Sequence, residues 1–249
     1  MTERLKDKIA VITGGSTGIG LATATRLAQE GSWVYLMGRR QEELDRAVRA
    51  VGPRARGLQG DVSRLDDLDR LFHQVAQEKG QIDILFANAG VAETALLEDV
   101  TEEHFDKIFD INVKGLLFTV QKALPLFRSG GSIILNASIA NTKGSAGFGV
   151  YGASKAAVRL FARCWTTEFK DRGIRVNTIS PGPIDTPIFE GLVPAEQQKQ
   201  VKEFLISRVP LGRMGKPEEI ASAVAFLASA DSSFITGIEL FVDGGAAQV

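Results

Sequence analysis

The feature that most constrains how this chain can fold is an alternation between two kinds of segment. Short apolar runs rich in β-branched residues are followed by longer amphipathic stretches along most of the 249 residues. This order is typical of βαβ units, whose strands form a parallel sheet. Several runs are apolar at successive positions, as strands covered on both faces should be. The predicted fold class is therefore α/β, a doubly wound parallel sheet of about seven strands with helices on both faces.

The same alternation predicts where the elements lie. The predicted strands are Ile9–Thr13, Trp33–Met37, Arg54–Gln59, Ile82–Ala87, Ser132–Asn136, Arg175–Ser180 and Glu239–Val242. The predicted helices are Gly18–Glu30, Glu42–Val51, Arg64–Lys79, Glu102–Phe127, Tyr151–Asp171 and Pro217–Ala228, the last of which begins with a proline that suits a first helical turn.

No linker, long charge run or repeat divides the sequence, so we predict one domain over residues 1–249. The alternation is interrupted after the sixth strand, where residues 182–211 mix turn residues with large apolar ones. A loop of this length is usually functional or mobile. We therefore expect residues 182–211 to form an insert that covers a substrate.

Composition narrows the possible partners and locations. The net charge is −1 and 24% of the residues are charged, which gives no general attraction to nucleic acid or to an acidic membrane surface. The single cysteine, Cys164, excludes a disulfide framework, and the two histidines cannot build a metal cluster. No apolar stretch reaches membrane-spanning length. We expect a cytoplasmic protein with no metal, no membrane partner and no nucleic-acid partner.

A glycine-rich turn joins the first predicted strand to the first predicted helix. It reads Thr13-Gly14-Gly15-Ser16-Thr17-Gly18-Ile19-Gly20. Glycines allow the backbone to turn tightly and to approach a pyrophosphate, while the N–H groups at a helix N-terminus favour negative charge. A turn of this kind can also bind nothing, so the motif alone is weak evidence for a dinucleotide.

The spacing of these glycines resembles the Thr-Gly-x-x-x-Gly-x-Gly motif of the short-chain dehydrogenase/reductase family, including its 3-oxoacyl and ketone reductases, and this resemblance implies a Rossmann fold. Further motifs of that family follow at the expected places along nearly the whole chain, although Ala87 stands where the family more often has a second asparagine. The resemblance implies that Asn112, Ser138, Tyr151 and Lys155 are catalytic. It implies that the cofactor is bound by Gly14, Ser16, Thr17, Gly18, Ile19, Gly20, Asp61, Val62, Asn88, Ala89, Gly90, Tyr151, Lys155, Pro181, Gly182, Ile184 and Thr186.

The end of the second predicted strand indicates which dinucleotide is bound, because the adenosine ribose lies there in such folds. The sequence has Gly38-Arg39-Arg40, with no acidic side chain to accept bonds from the ribose hydroxyls. The two guanidinium groups suit a 2′-phosphate, so we predict NADP(H), with Arg39 as the main contact. Two solvated surface arginines are the alternative, and Thr17 adds no positive charge.

The reaction is predicted from Tyr151 and Lys155, which lie one helical turn apart on one face. Reduction of a carbonyl needs a hydride at carbon and a proton at oxygen, but a free phenol with a pKa of about 10 is a sluggish acid at neutral pH. A nearby ammonium stabilises the phenolate. The resemblance implies that Tyr151 is the proton donor, that Lys155 also bonds the nicotinamide ribose, that Ser138 bonds the substrate oxygen and that Asn112 positions a water. We predict hydride transfer between NADP(H) and a carbonyl or secondary alcohol.

The substrate and the assembly are less constrained. A predicted substrate pocket consists of Ala140, Phe148, Val150, Ile188, Phe189 and Leu192, which favours a hydrophobic ketone or a 3-oxoacyl compound. Apolar residues away from the Tyr151 face of its helix, namely Val158, Phe161, Trp165 and Phe169, suggest a second face to bury, and the family resemblance implies a homotetramer. A catalytically idle NADP(H)-binding sensor or scaffold is the alternative function.

Overall fold

The centre of the molecule is a parallel sheet of seven strands in the order β3-β2-β1-β4-β5-β6-β7. The computed structural model describes residues 4–186 and 195–249. The strands are β1 (Ile9–Thr13), β2 (Trp33–Gly38), β3 (Ala55–Gln59), β4 (Ile82–Ala87), β5 (Phe127–Asn136), β6 (Arg175–Pro181) and β7 (Glu239–Val242). The strand order reverses between β1 and β4, and in sheets of this kind ligands bind outside the carboxyl ends of the strands at that point.

Helices cover both faces of the sheet. They are α1 (Gly18–Gln29), α2 (Gln41–Val51), α3 (Leu65–Lys79), α4 (Glu102–Phe109), α5 (Leu116–Ala123), α6 (Gly149–Glu168), α7 (Gln198–Ser207) and α8 (Pro217–Ala228). Side chains of α3, α5 and α6 form one core with the sheet, and those of α1, α2 and α8 form the other. Along β1, Ile9 and Val11 face the first core while Ala10 and Ile12 face the second, which is why the run is apolar at every position. The predicted fold class is confirmed.

The prediction of one unbroken helix over Glu102–Phe127 was wrong. Between α4 and α5, residues Asp110–Gly115 form a π-helical turn, and a 3-10 turn over Leu124–Leu126 ends the helical region before β5. At Gly115 a Cβ would lie 2.9 Å from Cγ2 of Val62, so the helix passes close to the segment that follows β3. The other main difference is α7, which lies within the insert and was not predicted.

The apolar residues of α6 that suggested a second surface to bury are accounted for within the chain. Val158, Trp165 and Phe169 are buried in the core formed with α3 and α5, and Phe161 packs against the same core. This argument for a subunit contact was therefore wrong. The exposed side of α6 carries Ala153, Ala156, Leu160 and Cys164 instead. None of the helices in residues 4–186 and 195–249 is long and apolar enough to cross a membrane.

Candidate active site

The glycine-rich turn forms a cradle that side chains would fill. Gly14 has a φ of +64°, and a Cβ there would lie 2.9 Å from the Cα of Ala89. A Cβ on Gly20 would lie 2.1 Å from the carbonyl oxygen of Gly14. Thr17, the N-cap of α1, makes no side-chain capping bond, and the first turn of α1 contains no acidic residue. The turn therefore fits a pyrophosphate, because its backbone can approach closely and the helix N-terminus keeps its favourable field.

A chain of side-chain hydrogen bonds runs from this turn across the sheet edge. Asn88 Nδ2 donates to the carbonyl oxygens of Thr13 and Gly14 at 3.0 and 3.1 Å. Asn136 Nδ2 donates to Asn88 Oδ1 at 2.9 Å, and the Asn136 carbonyl accepts from Lys155 Nζ at 2.8 Å. Sequence reasoning missed Asn136, whose only signal was its place at the end of β5. These hydrogen bonds connect the glycine cradle to Lys155 through Asn88 and Asn136.

Three of the four predicted catalytic side chains lie together at the carboxyl ends of β4 and β5. Ser138 lies close enough to Tyr151 for its hydroxyl to lower the pKa of the phenol by hydrogen bonding, and Lys155 Nζ lies 5.8 Å from the centre of the Tyr151 ring. Lys155 is only 3% exposed, and a Cβ on Gly90 would lie 3.3 Å from its Nζ atom. Gly90 therefore leaves room beside Lys155 Nζ that a side chain would occupy.

Burial acts on both ionisable groups of this cluster. Burial raises the pKa of Tyr151, and the hydrogen bond with Ser138 partly opposes that increase. Burial also lowers the pKa of Lys155 to about 8. Desolvation disfavours the charged form of each group. At neutral pH Lys155 still carries its proton for most of the time, so an ammonium group stands close to a neutral phenol.

The fourth predicted catalytic residue, Asn112, is fully buried with its amide engaged. Its Oδ1 atom accepts from the Val91 amide at 2.9 Å, while its Nδ2 atom donates to the Val91 carbonyl at 2.9 Å and to Ser154 Oγ at 3.1 Å. The side chain thus fastens the segment after β4 to α6. Asn112 lies in the π-helical turn, and both N–H donors of its side-chain amide are used in these bonds.

The tip of β2 contains the residues predicted to select the dinucleotide. A Cβ on Gly38 would lie 2.9 Å from Ser16 Oγ, so Ser16 occupies the space that a side chain at position 38 would need. Arg39 is exposed, and its Nη1 atom lies 3.9 Å from Asp61 Oδ2. Arg40 is also exposed and is the residue before α2. The tip therefore presents a hydroxyl and two cations toward solvent.

Several residues that were predicted to contact the cofactor have side chains that pack against the two cores. Val62 is buried in the core against α5, while Ile19 and Ile184 pack with the core on the α8 side. A Cβ on Gly182 would lie 2.7 Å from the Cα of Asp243. The absence of a side chain at Gly182 therefore allows the chain after β6 to pack closely against the segment after β7. Thr186 donates from its hydroxyl to the Ile184 carbonyl at 3.5 Å.

The predicted substrate pocket is only partly described. The Phe148 ring meets the Tyr151 ring edge-on with centroids 5.9 Å apart. A cavity of about 300 Å³ beside α6 is lined by Ala140 and Phe148 among others, but not by Val150. Gly149 opens α6 next to Phe148, and none of the described residues comes within 4 Å of the place where its side chain would be. Ile188, Phe189 and Leu192 lie outside the described residues.

Comparison with known proteins gives matches over nearly the whole chain. A family model described as enoyl-(acyl carrier protein) reductase matches residues 14–247. The chain is 49% identical over 249 residues to the oxidoreductase asL5 of Sarocladium schorii, covering 99% of this chain and 98% of that protein. It is 35% identical over 252 residues to the NADP-dependent (R)-specific alcohol dehydrogenase of Lentilactobacillus kefiri, covering 98% of each. The crystal structure of levodione reductase aligns with a TM-score of 0.94 and 31% identity, covering 98% of this chain and 99% of that one.

These matches agree with the motifs and with the strand order. They extend over the cradle, over the Ser138–Tyr151–Lys155 cluster and over the tip of β2 alike. The chain therefore belongs to the short-chain dehydrogenase/reductase family, and it is an oxidoreductase that acts on ketone or alcohol groups.

Proposed function

We propose that the protein is an NADP(H)-dependent oxidoreductase that interconverts a ketone and a secondary alcohol, with Tyr151 as the group that gives and takes the proton. The observation that carries the proposal is the placement of Ser138 and Tyr151 together beside the buried Lys155, which the bonds through Asn136 and Asn88 connect to the glycine cradle. When bound, the nicotinamide supplies or accepts the hydride at the carbonyl carbon.

The proton is moved by the chain's own residues. The Tyr151 hydroxyl donates its proton to the carbonyl oxygen of the substrate, and Ser138 donates a hydrogen bond to the same oxygen. The phenolate left on Tyr151 is stabilised by the Lys155 ammonium, which is held nearby by its bond to the Asn136 carbonyl. In the reverse direction the phenolate accepts the proton of the alcohol. Ser138 is thus a hydrogen-bond donor and not a nucleophile.

The choice of NADP(H) is supported by the tip of β2. No carboxylate stands at Gly38 to accept bonds from ribose hydroxyls, and the exposed guanidinium groups of Arg39 and Arg40 suit a 2′-phosphate. Ser16 adds a hydroxyl at the same place. The name of the Lentilactobacillus kefiri relative includes NADP dependence, which favours the same choice.

The substrate that fits best is a hydrophobic ketone. The Phe148 ring beside Tyr151 gives the approach to the proton donor an apolar side. The names of the alcohol dehydrogenase and of levodione reductase point to alcohols and ketones. A relative that is 38% identical, the 3-oxoacyl-[acyl-carrier-protein] reductase FabG of Thermotoga maritima, favours 3-oxoacyl compounds as the second candidate class. We also infer a homotetramer, which size-exclusion chromatography with light scattering tests directly. A purely monomeric mass would contradict it.

The function is tested by following NADPH absorbance with a panel of ketones, diketones and 3-oxoacyl thioesters. The reverse direction is followed with NADP+ and the corresponding alcohols. We expect turnover of at least one hydrophobic ketone, and we expect Tyr151→Phe to abolish it while NADPH binding, measured by fluorescence, is retained. Tight NADPH binding without turnover of any compound would favour the idle sensor instead. Substantial turnover by Tyr151→Phe would overturn the role given to that residue.

A further inference from the structure

A buried carboxylate joins three elements that surround the active site. Glu239, on β7, has a side chain that is 10% exposed. It accepts hydrogen bonds from Arg159 Nε at 3.0 Å, from Asn141 Nδ2 at 2.5 Å and from Ser180 Oγ at 2.6 Å. We refer to these four residues as the Glu239 cluster. No step of the proposed reaction uses them.

Each partner of Glu239 belongs to a segment that carries part of the active site. Asn141 ends the 3-10 turn that begins after Ser138, and Ser138 itself caps that turn by accepting from the Ala140 amide at 3.2 Å. Arg159 lies on α6, one helical turn beyond Lys155 and on the same side. Ser180 immediately precedes Pro181 at the end of β6. One carboxylate therefore holds the Ser138 turn, the helix of Tyr151 and the end of β6 in a fixed relation.

The chemistry of the Glu239 cluster indicates that it orients the surrounding segments more than it stabilises the fold. A buried carboxylate is tolerated only when it is paired and hydrogen-bonded, and apolar residues of similar volume often stabilise a fold equally well. Within the described part of the chain, Asn141 Oδ1 is buried without a hydrogen-bond partner, which is unfavourable. Arg159 is anchored a second time by donating from Nη1 to the Gly237 carbonyl at 3.1 Å. Such a set of bonds restricts how the Ser138 turn can move against α6.

We propose that Glu239 is a positioning residue that acts through Asn141 and Arg159 to hold the Ser138 hydroxyl against the Tyr151 hydroxyl. The proposal rests on the proposed function, because the value of this contact lies in the proton-transfer roles of Ser138 and Tyr151. The contact between Ser138 and Tyr151 can be measured without turnover, through the ionisation of Tyr151.

The chain offers an optical reading of Tyr151 alone. It has two tyrosines, Tyr35 and Tyr151. Burial and the hydrogen bond to Glu78 raise the pKa of Tyr35 far above its usual range. Because burial also raises the pKa of Tyr151, each variant is titrated in a Tyr35→Phe background, where the near-ultraviolet absorbance of tyrosinate comes from Tyr151 alone. The same background with Tyr151→Phe supplies the baseline.

The titration has a definite expected sign. The hydrogen bond from Ser138 lowers the pKa of Tyr151, so weakening it raises the midpoint. We expect Glu239→Gln, titrated without cofactor, to raise the midpoint by on the order of 0.5 to 1 unit. Ser138→Ala should raise it at least as much. The double variant should then show no further rise beyond Ser138→Ala, since both changes act on one contact.

A matched control removes a comparable carboxylate elsewhere. Glu30 has a side chain that is 8% exposed and pairs with Arg4 and Arg26. It caps the end of α1, and that end lies at the amino edge of the sheet, away from the site. Glu30→Gln should leave the midpoint unchanged. If Glu239→Gln does not fold, Asn141→Ala removes the same link and keeps the Arg159–Glu239 pair, and it should raise the midpoint likewise.

Kinetics provide a second reading. With a ketone that the wild type reduces, Glu239→Gln should lower kcat about tenfold to a hundredfold and change the NADPH Kd by less than about twofold. An unchanged midpoint in both Glu239→Gln and Asn141→Ala, or a rise that adds fully to that of Ser138→Ala, would overturn the proposal. Failure of the proposed function has a different signature, which is turnover by Tyr151→Phe or no turnover by the wild type.

Discussion

The Nζ atom of Lys155 donates a 2.8 Å hydrogen bond to the main-chain carbonyl of Asn136, the residue at which β5 ends. Asn136 is bonded in turn to Asn88, and Asn88 to the carbonyl of Gly14 in the cradle. The lysine is therefore held in place before any cofactor binds. Its charge is also costly, because burial lowers the pKa of Lys155 to about 8.

Replacing Lys155 by methionine should stabilise the folded protein while removing activity. The unfolded chain carries the ammonium up to its ordinary pKa of 10.5, whereas the folded chain holds it only to about 8. The resulting penalty is full below pH 8 and disappears as the pH rises toward 10.5. A shift of this size corresponds to about 3 kcal/mol, less about 1 kcal/mol for the lost hydrogen bond. Urea unfolding at neutral pH should show a gain of about 1–2 kcal/mol, and a smaller gain at alkaline pH.

The control for that experiment is Lys114→Met. Lys114 is half exposed and pairs with Asp110 at 3.2 Å. Its replacement should change the free energy of unfolding by less than about 0.5 kcal/mol at either pH. A loss of stability in Lys155→Met at both pH values would contradict the inference that the buried charge of Lys155 destabilises the folded protein.

Arg39→Asp should reverse the cofactor preference. The substitution removes a cation from the tip of β2 and adds a carboxylate that repels a 2′-phosphate but can accept bonds from ribose hydroxyls. We expect kcat/KM for NADPH to fall about a hundredfold, with that for NADH unchanged or higher. Arg46→Asp, on the exposed side of α2, is the control for general charge. If the ratio of the KM for NADPH to the KM for NADH were the same in Arg39→Asp and in the wild type, Arg39 would not determine the cofactor preference.

Gly20→Ala should abolish cofactor binding. Its Cβ would lie 2.1 Å from the carbonyl oxygen of Gly14, so the cradle must open or distort. We expect a loss of at least about 2 kcal/mol in the free energy of unfolding, together with loss of NADPH fluorescence enhancement. Gly144→Ala is the matched control, because a Cβ at Gly144 meets no atom within 4 Å in the part of the chain that the structure describes. Normal NADPH binding by Gly20→Ala would show that the turn is not the phosphate site.

Asn112→Ala should destabilise the protein more than Ser154→Ala does. The first change leaves the amide and the carbonyl of Val91 without partners and removes the bond that Ser154 accepts. The second removes that bond and the local donation from Ser154 Oγ to the Tyr151 carbonyl, but it keeps both Val91 bonds. We expect losses of about 2–4 kcal/mol and about 1 kcal/mol, respectively, from thermal or urea unfolding. Equal losses would indicate that the Val91 bonds contribute little.

The sheet could be predicted because a strand buried on both faces leaves a clear pattern. All seven predicted strands exist, and β1, β4 and β7 have the predicted bounds. The cradle and the Ser138–Tyr151–Lys155 cluster could be located because their residues sit at strand ends or one helical turn apart. These relations follow from local geometry, which spacing in a sequence records.

The parts that escaped prediction depend on contacts between distant segments. Asn141 and Glu239 are 98 residues apart, and their contact requires the pairing of β6 with β7 that sets Glu239 opposite Thr178. The inward direction of the Val62 and Ile184 side chains likewise depends on which helix packs above them. The core packing of Trp165 shows the same limit, since an apolar helix face does not say whether its own chain or another covers it.

Gly149 begins α6 beside Phe148, and among residues 4–186 and 195–249 no neighbouring atom lies within 4 Å of the place where its side chain would be. Larger residues there could narrow or reshape the entrance while Tyr151, Lys155 and the bonds beneath them stay as they are. Substitutions at Gly149 could therefore change which substrates enter the site, with little effect on folding or on the catalytic residues. A protein built in this way can acquire new substrates faster than it could acquire a new reaction.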